Sequence, residues 1–275
     1  DTMKTTSGIT TNAIYGFTNM LLKILDDKPD FVAISFDRPE PTFRHKEYKE
    51  YKATRQKAPP TLYEQIPYFK EVALALDIPI YEMAGFEADD VIGTLAKEAE
   101  KEGYDVTIVS GDLDPLQLVN KNIKVLTTRK GISDTILYGE KEVEERYGLR
   151  PDQLIDYKAL KGDASDNIPG VPKVGEKTAE ELLKEFGTLE IIYKNLDKIK
   201  KPALKENLKN NLHLAELSKR LGTIVTDVPI EVDFKAMERK EIDWKKVLPL
   251  FKKLEFEGLV KKHGGAVDEF KTENV

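Results

Sequence analysis

The chain contains no cysteine, only three histidines and a single tryptophan among its 275 residues. The lack of cysteine excludes disulfides, thiolate zinc sites and a cysteine nucleophile, and the scarcity of histidine disfavours a metal site built from imidazoles. Any metal would therefore be held by Asp and Glu, whose oxygens suit hard ions such as Mg²⁺ or Mn²⁺. No apolar run is long enough to span a bilayer, and the first residues lack the apolar core of a signal peptide. We therefore expect a cytoplasmic protein without a membrane partner.

Positive charge is concentrated in two tracts, although the formal net charge of the chain is −6. The first runs from Arg38 to Lys57 and holds seven Lys or Arg against three Glu, and the second runs from residue 194 to residue 220 with eight against three acidic residues. Phosphate backbones attract such clusters, although solvated helix faces explain the second tract equally well. The first tract also interleaves aromatic residues with cations, a mixture suited to nucleic-acid bases and phosphates.

Apolar periodicity predicts helices that alternate with short apolar strands. The pattern indicates helices over residues 14–25, 61–76 and 87–101, the first capped by Thr10 or Thr11, and strands over residues 31–36, 78–81 and 105–109. Strands that alternate with helices of this length favour an α/β fold with a mostly parallel central sheet flanked by helices. In such sheets, ligands bind beyond the carboxyl ends of the strands.

Carboxylates are found where the predicted strands end and where a helix begins. Asp37 follows the strand at 31–36, and two further aspartates follow the strand at 105–109. Carboxylates in a first helical turn often only complement the helix dipole, but the whole set is too dense to remain ionised without cations. The complete set is Asp37, Glu87, Asp89, Asp90, Asp112, Asp114, Asp163 and Asp166.

A glycine-bounded turn follows the last two of these carboxylates. It runs from Gly170 to Gly175, with a helix opening near Glu176. Backbone amides at such a turn can hold a phosphate, whereas the structural alternative is a tight turn that caps the helix.

Six motifs in fixed order resemble a known family. They are Phe36-Asp37, Thr42-Phe43-Arg44, the run Tyr51 to Arg55, the run Gly85 to Asp90, the run Ser110 to Asp114, and the run Gly162 to Gly170. The ordered set, from about Thr5 to about Gly258, resembles the 5′-nuclease domain of bacterial DNA polymerase I, in the flap endonuclease family. The resemblance implies a PIN-like nuclease fold and a structure-specific 5′ nuclease, acting as 5′-3′ exonuclease and 5′-flap endonuclease in DNA replication and repair.

The resemblance also implies roles for individual residues. Two or more Mg²⁺ or Mn²⁺ ions would be held by Glu87, Asp89, Asp90, Asp112, Asp114, Asp163 and Asp166. Asp37, Lys52 and Arg55 would be catalytic, the last two as cations facing the scissile phosphate. DNA, as a 5′-flap, nicked or branched duplex, would contact Phe43, Arg44, Tyr48 and Tyr51 in a helical arch, and Gly170, Val171, Lys173, Gly175 and Lys177 in a helix-hairpin-helix that can also hold K⁺.

The same resemblance predicts the domain layout. Residues 1–150 would form the α/β nuclease core with the arch at about 38–60, residues 151–262 a helical helix-hairpin-helix subdomain, and residues 263–275 a linker leading to a polymerase domain in a longer natural chain. We expect a monomer.

Family members open with an apolar strand ending in a metal-binding aspartate, and no such strand precedes Thr11 in this sequence. The alternative is therefore a catalytically impaired fragment that binds DNA junctions. A third hypothesis, a PIN-type ribonuclease or a phosphatase, needs neither the hairpin nor the basic arch.

Overall fold

The structure, a computed structural model, describes residues 3–130 and 134–272, and of residues 129–130 and 265–272 only the backbone. The strands in these ranges are β1 (Ile34–Ser35), β2 (Ile80–Tyr81), β3 (Val106–Val109), β4 (Ile123–Lys130) and β5 (Asp134–Tyr138). The helices are α1 (Asn12–Asp26), α2 (Phe43–Glu47), α3 (Pro60–Tyr63), α4 (Ile66–Ala75), α5 (Ala88–Lys101), α6 (Glu140–Tyr147), α7 (Leu154–Lys161), α8 (Glu176–Phe186), α9 (Leu189–Lys194), α10 (Pro202–Asn210), α11 (Leu212–Gly222), α12 (Phe234–Met237), α13 (Trp244–Lys253) and α14 (Glu257–Thr272). Short 3₁₀ helices lie at Asp114–Leu118, Pro151–Gln153 and Leu196–Lys198.

The chain folds as two compact units, the first of which is discontinuous in sequence. This first unit comprises the described residues of Asp1–Phe36, Lys57–Glu82 and Glu231–Val275. Its strands β1 and β2 pair in parallel, and helices α1, α4 and α13 pack around a shared apolar core. Phe251 and Phe256 are almost fully buried in that core, so large aromatic side chains stabilise the unit by removing apolar surface from water.

The second unit comprises Asp37–Gln56 and Met83–Ile230 and contains a mixed sheet. Strand β4 lies in the centre, parallel to β3 and antiparallel to β5, so that β4 and β5 form a hairpin. An apolar cluster that includes Leu116 and Ile123 covers one face of this sheet. The sheet therefore fixes the position of the residues that follow β3.

Helices α7 to α11 form the remainder of the second unit. Leu160, Leu183, Ile192 and Leu208 are at most 1% exposed and join these helices in one apolar cluster. The periodic apolar residues of short helices are thus buried against each other, which is where most helical stability arises.

The predicted α/β class and the first helix, with Thr11 as N-cap, are confirmed. The strand predicted over 31–36 is shorter than expected, because the backbone of Val32 donates to Met237 O at 2.8 Å instead of pairing along β2. The helix predicted over 61–76 is interrupted at Gln65. This buried side chain accepts from the amides of Ala13 and Ile14, so the interruption anchors α1.

Two predicted segments differ in their local structure. The arch predicted at about 38–60 contains one helix of five residues, α2, which ends where Tyr48 adopts an extended conformation and is followed by turns. Pro39 and Pro41 limit the helix at its start. The linker predicted from residue 263 is helical as far as Thr272, while residues 273–275 lie outside the described part. The rings of His263 and Trp244 are stacked with their centroids 4.0 Å apart, and this contact joins the middle of α14 to α13. Across the described residues, none of the helices combines the length and apolarity needed to cross a membrane.

Gly170 should tolerate alanine much less well than Gly148, although both have φ close to +63°. A Cβ on Gly170 would lie 2.2 Å from the backbone nitrogen of Gly162, whereas on Gly148 it would meet only the flexible ends of Glu180 and Lys184. In both variants the left-handed strain lowers the unfolding free energy by about 1–2 kcal/mol. We expect the unfolding free energy of Gly170→Ala to fall by about 2 kcal/mol more, because of the backbone clash. Equilibrium urea unfolding of the two variants checks this, and equal losses would contradict it.

Candidate active site

Six carboxylates and two cationic side chains line one cavity of about 200 Å³ in the second unit. They are Asp37, Glu87, Asp89, Asp112, Asp114, Asp166, Lys52 and Arg55. Four separate stretches of the chain supply these side chains: the region from residue 37 to residue 55, the start of α5, the turn after β3 and the loop after α7. The structure therefore brings together eight of the residues predicted from sequence.

The start of α5 presents Glu87 and Asp89 to the cavity. Glu87 is the N-cap residue in extended conformation, and its amide donates to Asp90 Oδ2 at 3.0 Å. Asp37 Oδ1 accepts from the amide of Ala88 at 2.8 Å, which satisfies a further free donor of the first helical turn. Carboxylates near a helix N-terminus also interact favourably with the helix dipole.

The turn after β3 presents Asp112 and Asp114. Asp112 Oδ1 accepts from the amides of Leu113 and Asp114, at 2.6 and 3.1 Å, and so caps the 3₁₀ helix that follows. Pro115 occupies the first turn of this helix, where a missing N–H costs nothing. The cap fixes the carboxylate of Asp112 while one of its oxygens remains available for other contacts.

The loop after α7 carries Asp163 and Asp166. Two backbone hydrogen bonds between Asp163 and Ile168, at 2.8 and 2.9 Å, close this loop. Asp166 is 5% exposed and lines the cavity. Asp163 does not line it, because its Oδ1 accepts from Ser165 and its Oδ2 pairs with Lys158 at 2.9 Å. Lys158 joins Asp163 to Asp114 at the cavity wall, and the part predicted for Asp163 in holding a metal stays a prediction.

The buried setting of Asp89 among other carboxylates raises its pKa to about 7. Burial is the largest cause, followed by the negative charges of Asp112, Asp114, Asp37 and Glu87. Burial also raises the pKa of Asp114, although Lys158 opposes that shift. The cavity is thus a site of unbalanced negative potential that a cation would relieve.

Three cations offset part of this potential. Lys52 Nζ lies 2.9 Å from Glu87 Oε1 and 3.8 Å from Asp166 Oδ2, and Arg55 lies 3.0 Å from Asp166. Lys158 bridges Asp114 and Asp163. Its pKa is raised because these two carboxylates outweigh the effect of burial. Sequence reasoning missed Lys158, although a lysine on the helix that leads into Asp163 was a usable signal.

The donor set fits a hard divalent ion. Among the described residues, no three carboxylate or imidazole side chains already have the mutual spacing of a formed metal site. However, all six anionic groups of the cavity are carboxylates, the ligand type that Mg²⁺, Mn²⁺ and Ca²⁺ prefer. The raised pKa of Asp89 indicates that these carboxylates repel each other, which is the condition that a bound cation would stabilise.

Asp90 and Arg44 form a buried ion pair, so neither has the role predicted for it. Their side chains are 0% and 3% exposed, and the guanidinium binds both carboxylate oxygens at 2.6 and 2.7 Å. Arg44 also donates to the carbonyls of Leu221 and Thr223. Asp90 is therefore turned away from the cavity, and Arg44 is not available to DNA. Together they join α2, α5 and the end of α11.

The aromatic residues of the first basic tract pack inside the second unit. Tyr51 is 3% exposed and contacts Ile168, so this structure buries the ring that was predicted to contact DNA. Its hydroxyl lies 3.2 Å from Glu87 and 3.3 Å from Asp166. Burial, and then these two negative charges, raise the pKa of Tyr51. Phe43 and Tyr48 are half-buried, and their contact with DNA stays a prediction.

The glycine-bounded turn uses part of its backbone within the fold. The amide of Gly170 donates to Ser218 Oγ at 2.9 Å, and that of Val171 donates to Leu160 O at 2.8 Å. Both residues are buried, so the predicted phosphate contacts of these two amides need correction. Lys173, Gly175 and Lys177 are exposed, and they remain candidates for contact with DNA.

Removing one partner of the buried ion pair should lower the unfolding free energy more than removing both charges does. Arg44→Met would leave Asp90 charged and uncompensated, which costs about 3–5 kcal/mol of unfolding free energy. The double variant Arg44→Met/Asp90→Asn should lose less. Arg150→Met serves as the control, because its pair with Asp152 is exposed and should change stability by about 0.5 kcal/mol or less. Urea unfolding measures all three, and a double variant less stable than Arg44→Met would contradict the ion-pair argument.

Asp89→Asn should stabilise the metal-free protein, and more so as the pH rises. Between about pH 4 and pH 7 the folded protein keeps a proton on Asp89 that the unfolded chain has released, so the unfolding free energy of the wild type falls across this interval. Asparagine removes this effect, and we expect a gain of about 1–3 kcal/mol at pH 8 that shrinks towards pH 4.5. Unfolding in EDTA at several pH values, with the exposed Asp105→Asn as control, measures the gain. A gain independent of pH would refute the argument.

Two family models match consecutive parts of the chain. Residues 1–148 match the N-terminal resolvase-like domain of 5′-3′ exonuclease, and residues 149–245 match its C-terminal SAM fold.

Curated relatives and solved structures agree with these matches. DNA polymerase I of Bacillus subtilis is 48% identical over 258 residues, which cover 94% of this chain and 29% of the relative. The thermostable DNA polymerase I of Thermus filiformis is 41% identical over 262 residues, which cover 95% of this chain and 31% of the relative. The chain thus spans less than a third of the length of the curated relatives it matches.

Solved structures show the same fold at low sequence identity. T5 5′-exonuclease with bound zinc ions superposes with a TM-score of 0.67 at 23% identity, covering 78% of this chain and 82% of that one. The catalytic core of Rad2 in complex with a DNA substrate superposes with a TM-score of 0.58 at 17% identity. The match covers 88% of this chain and 80% of the Rad2 chain. On the two consecutive family models, which together span residues 1–245, this chain belongs to the 5′-3′ exonuclease family.

Proposed function

We propose that this chain is a structure-specific 5′ nuclease that hydrolyses DNA phosphodiesters, as a 5′-3′ exonuclease and at 5′ flaps. The cavity carries this proposal, because six carboxylates face Lys52 and Arg55 within about 200 Å³. A phosphodiester is an anion, and its hydrolysis places further negative charge on the reacting oxygens. A site for this reaction needs both cation ligands and fixed cations, and the cavity has both. Membership of the 5′-3′ exonuclease family supports the same conclusion.

The carboxylates would hold two divalent ions, Mg²⁺ or Mn²⁺. Glu87, Asp89, Asp112 and Asp114 are the direct ligands in this proposal, because all four line the cavity. When bound, two such ions activate the attacking water and neutralise charge on the leaving oxygen. Asp37 has a supporting role, since its hydrogen bond to the amide of Ala88 orients the helical turn that carries Asp89.

Lys52 and Arg55 would bind the scissile phosphate. Both side chains already line the cavity, and Asp166 holds them there at 3.8 and 3.0 Å. Fixed cations stabilise the charge that develops in the transition state without any cost of reorganisation. Asp163 supports the site indirectly, because it shares Lys158 with Asp114.

The exposed residues of the hairpin turn would bind duplex DNA. Lys173, Gly175 and Lys177 lie at or next to the start of α8, where free amides and the helix dipole attract phosphate. Contacts of this kind are independent of base sequence and weaken with salt. A bound K⁺ at this turn stays a prediction. The proposal includes a polymerase domain in the same natural chain, since the chain spans less than a third of its DNA polymerase I relatives.

A cleavage assay with three substrates tests the proposal. The chain is incubated with a 5′-flap DNA, the matching single strand and an RNA hairpin, in Mg²⁺, in Mn²⁺ and in EDTA. We expect cleavage near the flap junction in either metal and none in EDTA. Salt-sensitive binding of the flap without any cleavage would contradict the nuclease and support a DNA-binding module, and preferential cleavage of the RNA would contradict both.

Asp112→Asn should abolish cleavage while it preserves the fold. Asparagine keeps the Oδ1 acceptor for the amides of Leu113 and Asp114, so the cap of the 3₁₀ helix remains, but the charge is lost. We expect flap cleavage to fall at least about 100-fold, equivalent to about 3 kcal/mol, with duplex binding in EDTA unchanged. Asp152→Asn is the matched control, because Asp152 is exposed and pairs only at the surface with Arg150. Normal cleavage by Asp112→Asn would refute the site assignment.

A further inference from the structure

Two residues at the junction between the turn of Lys52 and the loop after α7 have left-handed backbones. Lys52 and Asn167 both have φ of 56°, and neither is glycine. Such a conformation is unfavourable for a residue with a Cβ and persists only where its surroundings enforce it. Asparagine tolerates this conformation better than most residues because its short polar side chain can bond locally, whereas lysine has no such advantage.

A reciprocal pair of hydrogen bonds joins the turn that carries Lys52 to the loop that carries Asn167. Asn167 Nδ2 donates to the carbonyl oxygen of Glu50 at 2.7 Å. In the other direction, the amide of Lys52 donates to the carbonyl oxygen of Asp166 at 2.9 Å. The first bond depends on a side chain and the second only on backbone, so a substitution of Asn167 removes the first bond and leaves the second in place.

The loop that carries Asn167 is itself held firmly. The two backbone bonds between Asp163 and Ile168 close it, and Ile168 is buried against Tyr51. The turn that carries Lys52 is anchored by the buried ring of Tyr51. Its backbone bonds from Tyr51 to Tyr48 and from Ala53 to Glu50 are local, and Lys49 and Glu50 are exposed. The backbone of the turn on either side of Tyr51 therefore gains its long-range hydrogen bonds from the loop.

The position of this turn decides where two cations lie. Lys52 Nζ is 2.9 Å from Glu87, and the amide of Arg55 donates to the carbonyl of Lys52 at 3.1 Å. A shift of the turn would therefore move both the ammonium and the guanidinium away from the cavity. Displacements of about 1 Å at a reacting centre can cost about 100-fold in rate.

We propose that Asn167 is a positioning residue, which holds the turn of Lys52 and Arg55 in register with the carboxylate cavity through its bond to Glu50. This inference rests on the proposed nuclease function for its kinetic consequence, but its structural consequence is independent of activity. Asn167 itself does not line the cavity and contacts no reacting group.

Two variants separate the side-chain bond from the backbone conformation. Asn167→Gly keeps the left-handed conformation without strain while it removes the donor, and the added backbone freedom of glycine is the effect that the control variant measures. Asn167→Asp keeps the shape of the side chain but turns an acceptor towards the Glu50 carbonyl. Lys28→Gly is the matched control, because Lys28 has φ of 53° and contributes nothing to the cavity.

The first measurement is amide hydrogen exchange of the free, metal-free protein. We expect peptides that cover residues 48–56 to exchange faster in Asn167→Gly, and faster still in Asn167→Asp, while peptides from α8 and α11 stay unchanged. Lys28→Gly should match the wild type in all of these peptides. Unchanged exchange over 48–56 would overturn the proposal, as would faster exchange throughout the second unit, which indicates general destabilisation.

The second measurement is the kinetics of flap cleavage. We expect kcat to fall about 10-fold or more in Asn167→Gly, and further in Asn167→Asp, with duplex affinity in EDTA changed less than about twofold. A loss of duplex affinity at unchanged kcat would overturn the proposal, because it would make Asn167 a DNA contact. If the wild type cleaves none of the substrates, the proposed nuclease function fails, and the exchange measurement still decides whether Asn167 positions the turn.

Discussion

Repulsion among the carboxylates of one small cavity is the constraint that the surrounding structure satisfies. Burial and four neighbouring negative charges raise the pKa of Asp89 to about 7, so this site is unfavourable without cations. Three lysine and arginine side chains, from the turn after α2 and from α7, lie against the carboxylates. The cavity, the turn and α7 therefore depend on each other through charge.

The buried ion pair of Arg44 and Asp90 also holds the elements around the cavity together, although neither residue lines the cavity. Its guanidinium satisfies a carboxylate at the start of α5 and two carbonyls at the end of α11. Pairs of this kind add little net stability, since desolvation offsets most of the attraction, but breaking one is costly. The pair therefore specifies one arrangement of α2 against α5. Because the turn that carries Lys52 follows α2, the pair also fixes where this turn begins.

The loop between α7 and α8 has a similar organising role. Neither Gly162 nor Gly170 has room for a side chain, because the backbone of Ile168 and Pro169 lies against Gly162 and that of Gly162 lies against Gly170. Ser218 on α11 fixes the amide of Gly170. One end of the loop holds Asp166 at the cavity, and the other end opens into α8 with its exposed lysines. Asn167 joins this loop to the turn of Lys52, so the hairpin turn before α8 and the cationic turn are linked through a few residues.

Sequence alone determined the chemistry of the site. The absence of cysteine and the scarcity of histidine limited any metal site to carboxylates, and strand ends and a helix start predicted that Asp37, Glu87, Asp89, Asp112 and Asp114 would meet. These features are local, since they depend on residue type and on the periodicity of single elements. The helix α1 and its N-cap residue were predictable for the same reason.

Tertiary structure decided which charged and aromatic residues face the cavity and which are buried. Arg44 and Tyr51 have the composition of a nucleic-acid contact, yet the fold buries both, because long amphipathic side chains can pack as readily as they can face solvent. Asp90 was separated from the cavity wall by Arg44, a partner distant in sequence, and Asp163 by Lys158 on the helix that leads into it. The pairing of Arg44 with Asp90 depends on the packing of whole elements, and no local pattern encodes it.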